Sequence, residues 1–197
     1  MPDEARPYHH GNLRAALLDA AERTIEKSGT ERLSLRELAR AVGVSHAAPR
    51  AHFTDRQALL VALAERGFDR LGAQLKAARD GAGPGFGERL RAVIAGFITF
   101  ANSRPVLLDL MFSAKPYGDK AGLPAAAEAL AVVYDLIGDG VTEGALAPGD
   151  PERYGLLLYA WAQGLASLIA GGGLEPEVAD SLVSDAVSTF IRGNAAG

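Results

Sequence analysis

Leu33-Ser-Leu-Arg-Glu-Leu-Ala-Arg-Ala-Val-Gly43-Val-Ser45-His-Ala-Ala-Pro-Arg-Ala-His-Phe53 is the stretch whose reading decides the fold. Ser34-x-x-Glu37 has the spacing of a capping box, in which the serine hydroxyl takes the third amide of a helix and the glutamate reaches back to the serine amide. Leu35, Leu38, Ala39 and Val42 then predict a short helix, stopped at Gly43, where glycine supplies a positive φ. Ser45 can cap a second short helix ending near Phe53. Two short helices joined at 42–45 have the layout of a helix-turn-helix, with the flanking valines packing the pair at a steep angle. Neither helix buries enough surface alone, so the helix before and the start of the helix after must complete a three-helix core.

Working outward, Leu13, Leu17, Ala20, Ala21, Thr24 and Ile25 form one stripe at helical spacing, ended by Ser28-Gly29. On the other side, Thr54-x-x-Gln57 reads as a second capping box. It opens a long helix with Leu60, Ala64, Phe68, Leu71 and Leu75 on one face. Asp80-Gly-Ala-Gly-Pro-Gly-Phe-Gly87 reads as a linker. A phosphate-binding loop is disfavoured there, because Phe86 stands at the third glycine's place and no strand precedes it. Beyond it come a helix with Leu90, Val93, Ile94, Phe97 and Ile98, and a short one after Pro105 ending near Phe112. A loop around 115–118 follows, then a helix with Leu130, Val133, Tyr134, Ile137 and Val141. Asp150-Pro151 and Glu175-Pro176 open the last two helices, since proline suits a first turn. No period-two apolar run is bounded by turn residues, so the fold class expected is all-α. The domains expected are a helix-turn-helix domain at 1–55 and a helical bundle at 56–197.

Bulk properties narrow the classes. Cysteine is absent, which excludes disulfides, thiolate metal sites and a cysteine nucleophile. Residues 1–12 are polar and do not read as a secretory signal. The uncharged run 155–174 has membrane-span length, but the glycines at 171–173 leave a helix of only about 24 Å, short of a hydrocarbon core of roughly 30 Å. A buried or interface helix is the better reading. The net charge of −4 is unevenly spread: eleven Lys/Arg against ten Asp/Glu up to residue 70, nine against fourteen beyond. All four histidines also lie in the first part, so any polyanion contact belongs at that end.

Within 33–53, Arg36, Arg40 and Arg50 face only Glu37. Ser45, with the amides of its helix start, suits a phosphate. His46, Ala47 and Ala48 would begin a recognition helix in the major groove, the alanines against a thymine methyl and His46 against a base edge or phosphate. Ser34, Arg36, Ser45, His46, Ala47, Ala48, Arg50 and His52 are the candidate DNA-binding residues. The same layout also fits a plain helical hairpin with a solvated basic face. Catalysis is not expected. Residues 53–197 hold no histidine for a nucleophile, no metal-ligand spacing is present, and Glu175 and Glu177 read as helix-start charges. No cofactor or metal is implied.

Several motifs are familiar. Tyr8-His-His-Gly-Asn-Leu-Arg14, the segment from Ser34 to Pro49, His52-Phe53 and Asp55-Arg-Gln-Ala-Leu-Leu60 together resemble TetR/AcrR-family repressors over residues 8 to about 68. Tyr159-Ala-Trp161-Ala-Gln-Gly164 resembles the branch named for a Trp-His-Gly signature in its C-terminal domain, with Gln163 at the histidine's place. Two departures stand out. Arg50 occupies the place of a phosphate-contacting tyrosine, and Pro49 is unusual within a recognition helix.

The resemblance implies a cytoplasmic, sequence-specific DNA-binding regulator, a repressor released from a pseudo-palindromic operator by a small, mainly apolar effector. It implies a homodimer whose last two helices pair with their mates. It also implies a ligand cavity among the middle helices, and release when an effector shifts the long helix beginning near Asp55. Candidate effector-binding residues are Phe97, Phe100, Met111, Phe112, Tyr117, Tyr134, Trp161 and Gln163, although an aromatic at helical spacing is usually plain core. The competing expectation is a helical small-molecule-binding or interaction protein without specific DNA binding. The partners expected are double-stranded DNA, the effector and a second copy of the chain, with no membrane.

Overall fold

The computed structural model describes residues 13–113, 123–172 and 176–195, and among these only helices and their connections occur. The helices are α1 (Leu13–Ser28), α2 (Leu35–Ala41), α3 (Arg56–Asp80), α4 (Phe86–Ser103), α5 (Pro105–Phe112), α6 (Pro124–Thr142), α7 (Pro151–Ala170) and α8 (Pro176–Gly193). Single 3₁₀ turns at Thr30–Arg32 and Ala48–Ala51 sit in the head, between α1 and α3.

The α1 stripe is buried as its spacing requires, with Leu17, Ala21 and Ile25 fully inside. Ser34 caps α2 by accepting the Glu37 amide at 3.2 Å. Gly43, at φ 73°, ends α2 in a Schellman motif: its amide donates to the Arg40 carbonyl, and that of Val44 to the Ala39 carbonyl at 3.0 Å. The second short helix expected from Ser45 to Phe53 is a 3₁₀ turn instead. Pro49 is the cause, because it has no N–H for the Ser45 carbonyl. Within the turn the bonds span three residues, from Ala48 to Ser45, Arg50 to Ala47 and His52 to Pro49, and a four-residue bond from Phe53 to Pro49 closes it. Pro49 itself is buried and anchors the turn.

The cap of α3 is shifted by one residue from the expected Thr54 box. Asp55 accepts the Ala58 amide at 2.8 Å, since a carboxylate outcompetes threonine for free amides at the positive end of a helix. Arg56 then donates to the carbonyls of Thr30 (2.6 Å) and Leu33 (3.2 Å), tying the start of α3 to the α1–α2 connection.

The stretch expected as a linker is a short loop between two helices. Asp80 ends α3 and Phe86 begins α4, so only 81–85 are loop. Phe86 is buried against α6, where a Cβ on Gly140 would come within 2.5 Å of its ring. Arg89 donates to the Pro84 carbonyl and pairs with Glu143 at 2.6 Å, closing the loop onto the end of α6. α3 packs along α4, α5 and α6, and α4 along α7 and α8, around one continuous apolar core. No single helix among the described residues is long and apolar enough to cross a membrane.

The Phe86–Gly140 contact is directly testable. Gly140→Ala forces a buried ring to move, so it should destabilise the fold by about 1–3 kcal/mol in urea unfolding, as overpacking does. Combining it with Phe86→Leu should recover part of that loss, and a neutral Gly140→Ala would contradict the packing.

Candidate nucleic-acid interface and ligand cavity

The head exposes one basic end. Arg36, Arg40, Ser45, His46, Ala47, Arg50 and His52 are exposed, while Ser34 and Ala48 are half-buried. Arg36, Arg40 and Arg50 make no ion pair among the described residues. Arg66, Arg70 and Arg104 contrast with them. They converge on Glu22 at 2.7, 2.6 and 3.2 Å, and Arg66 also pairs with Asp19 at 2.6 Å. Arg66, Arg70 and Arg104 are thus paired within the fold, whereas among the described residues the arginines around the 3₁₀ turn are not.

The turn presents Ser45, His46 and Ala47 at its outer edge because Pro49 and Phe53 point inward. Arg14 is a residue that the spacing did not single out. Its guanidinium lies 5.5 Å from the Phe53 ring centre, a cation–π contact that parks an exposed charge beside the turn.

Behind the head lies a slender cavity of about 60 Å³ among α3, α4, α5, α6 and α7. Phe97, Phe112 and Tyr134 line it, joined by Phe68, Leu158 and Tyr159, which were not among the sequence candidates. The rings interlock. Phe112 stacks on Tyr159 at 4.7 Å, and Phe97 and Phe68 meet Tyr159 and Phe112 edge-on at 5.7 and 5.3 Å. Among the described residues, Tyr134 and Tyr159 alone bring a side-chain polar atom to the lining. Burial raises the Tyr159 pKa, and the nearby Asp109 charge raises it further, so its hydroxyl stays neutral.

The other candidates lie elsewhere. Phe100 and Met111 are fully buried core outside the lining. Gln163 is also outside the lining, with a buried Oε1 that has no hydrogen-bond partner among the described residues. Trp161 is 37% exposed and rests edge-on against Phe190 on the outer α7–α8 face. Tyr117 lies outside the described residues. No group of three metal-ligating side chains occurs among the described residues.

A family model described as "Bacterial regulatory proteins, tetR family" matches residues 17–63, which hold the capped α2, the 3₁₀ turn and the start of α3. A second, "Tetracyclin repressor-like, C-terminal domain", matches 90–190, and with it the cavity helices other than α3 and the Trp161–Gly164 segment. The chain belongs to the tetR family of transcriptional regulators. A solved structure of a protein with unknown function from Rhodococcus sp. RHA1 is 42% identical, with a TM-score of 0.86 over 98% of this chain and 100% of that one. A TetR family transcription regulator from Marinobacter aquaeolei VT8 shares the fold at 18% identity and TM-score 0.72, covering 94% of this chain and 97% of that one. The fatty acid degradation regulator FadR from Bacillus halodurans does so at 14% and 0.70, covering 91% and 98%. No curated protein matches the chain. For this tetR-family chain the all-α architecture with an N-terminal helix-turn-helix is as the sequence led us to expect, and its fold is that of a DNA-binding regulator.

The raised Tyr159 pKa has a signed consequence. Because the folded value lies above the unfolded one, the contribution is fully present below about pH 10, where a free tyrosine ionises, and is lost as pH rises through the folded value. Denaturant midpoints should therefore fall above that pH in the wild type and fall less in Tyr159→Phe. Parallel curves would show that Tyr159 is not shielded.

Proposed function

We propose that this tetR-family regulator is a cytoplasmic repressor that binds a pseudo-palindromic operator as a homodimer and leaves it when a small apolar molecule fills the aromatic cavity. The observation that carries the reading is the division of charge, with Arg36, Arg40 and Arg50 exposed and, among the described residues, unpaired around the turn, while Arg66, Arg70 and Arg104 are tied to carboxylates. Arg36, Arg40, Arg50 and His52 contact phosphates, with Ser34 and Ser45 helping to place the backbone. His46, Ala47 and Ala48 face base edges in the major groove. A 3₁₀ turn presents fewer side chains along the groove than an α-helix, so phosphate contacts carry much of the affinity.

The dimer reading rests on α7 and α8. Leu157, Trp161 and Leu168 stand exposed at intervals of four and seven residues, one stripe on the outer face of α7, beside Leu182 and Ala186 of α8. Pairing this face with its mate buries it and sets two heads on successive major-groove faces, roughly 34–36 Å apart.

Fluorescence anisotropy with the pseudo-palindromic segment nearest the gene, against a scrambled duplex, tests DNA reading. Specific binding should weaken steeply with salt, and Arg50→Ala should reduce the salt slope by about one. Equal affinity for both duplexes would leave the helical domain as a binder in its own right. In sedimentation velocity the wild type should run as a dimer and Leu168→Glu as a monomer, with operator affinity lost alongside. A monomeric wild type would contradict the pairing.

A further inference from the structure

The cavity, at about 60 Å³, is far smaller than the roughly 300 Å³ at which ligand pockets begin, so a ligand enters only by moving part of the wall. Most of its aromatic wall is fixed. Phe68 and Phe97 are buried on the long helices α3 and α4. Phe112, though partly exposed, is held by two rings, stacked on Tyr159 at 4.7 Å and edge-on to Phe68 at 5.3 Å. Tyr134 is held by neither device. It is half-buried, and among the described residues it has no ring partner and its hydroxyl makes no hydrogen bond.

Tyr134 also stands between two spaces. On one side it lines the cavity. On the other it edges an open cleft of about 880 Å³ between α6 and the loop joining α3 to α4, and no other described residue lines both. The ring rests on a glycine: a Cβ on Gly155 of α7 would come within 2.7 Å of its Cε1. In the cleft, one turn along α6, a Cβ on Gly138 would meet nothing within 4 Å. Turning the ring outward therefore breaks no hydrogen bond and has room to go.

The cleft is acidic. Arg79 and Arg89 are committed to Asp80 and Glu143 at 3.0 and 2.6 Å, and Asp135 and Asp139 have no ion pair among the described residues. A molecule approaching Tyr134 meets net negative charge, and the cavity lining behind it holds no lysine or arginine. An anion is thus opposed at the mouth and left without a counter-charge inside.

We propose, resting on the reading of this cavity as the ligand site, that Tyr134 is its door. The ring turns out into the cleft, an uncharged apolar molecule passes into the aromatic cavity, and Asp135 and Asp139 turn anions away. Tyr134 sets the rate of uptake, and the two aspartates set its charge selectivity.

The test uses the full chain in stopped-flow fluorescence with two probes on one ring skeleton. These are uncharged N-phenyl-1-naphthylamine and its anionic sulfonate, 1-anilinonaphthalene-8-sulfonate. With the wild type, the uptake rate of the uncharged probe should level off as its concentration rises, since the turning ring precedes binding. Tyr134→Ala should lift that ceiling and raise association and dissociation rates together by about ten-fold. Tyr134→Phe should behave as the wild type, because the hydroxyl does not hold the ring. Gly155→Ala keeps the ring but pushes its edge off its seat, and should also speed uptake. The sulfonate should enter the wild type about ten-fold more slowly than the uncharged probe. Asp135→Asn with Asp139→Asn should narrow that gap and leave uptake of the uncharged probe unchanged. Uptake no faster in either Tyr134→Ala or Gly155→Ala overturns the door and leaves the ligand site standing. A sulfonate that enters as fast as the uncharged probe overturns the charge selection. No uptake of the uncharged probe by the wild type overturns the ligand site and the door with it.

Discussion

The head of this regulator has no core of its own without α3. α1, α2 and the 3₁₀ turn put Leu17, Ile25, Leu33, Leu38 and Phe53 inside, and the first turns of α3 add Leu59 and Leu63 from below. The same helix, further along, supplies Phe68, Leu71 and Leu75 to the cavity. One helix of twenty-five residues, about 37 Å long, is therefore the floor of the head and a wall of the cavity. Interiors this closely packed shift between discrete arrangements and do not deform smoothly.

Charge placement follows from that architecture. A head that must sit firmly on α3 and still meet a polyanion needs its arginines sorted. Arg66 and Arg70 of α3 and Arg104 before α5 are spent on the carboxylates of α1, where Glu22 is only 15% exposed and the pairs are partly shielded from salt. Arg36, Arg40 and Arg50 keep their charge in water. The overall charge of −4 conceals this arrangement, which only the spatial partition reveals.

Much of this was legible in the residues, and the misses have physical causes. The Ser34 cap, the Gly43 stop and the proline-led starts of α5 and α7 were readable because each is a local rule about backbone amides and φ. Pro49 was visible as a departure, but its outcome depended on the count of amides left to bond, and a helix became a 3₁₀ turn. The glycine-rich stretch at 80–87 looked like a linker, since composition does not reveal that Phe86 would find a slot beside Gly140 on a helix more than fifty residues away. The aromatic residues of the middle helices were recognisable as a class, but a side chain's direction depends on how helices cross. Phe97, Phe112 and Tyr134 reached the cavity, Phe100 and Met111 went to the core, and Trp161 to the outer face. Tyr159 and Phe68 belong to the same ring cluster, joined through Phe112 of α5, which touches both.

The central claim is that a proline-tightened turn flanked by three exposed arginines reads duplex DNA as one half of a two-fold pair. Hydroxyl-radical footprinting of the segment upstream of the gene tests it most directly. The account predicts two protected patches on one face of the duplex, their centres about 10 base pairs or a multiple apart, each flanked by protected phosphates. A uniform pattern, or a single patch that persists at high salt, would contradict it.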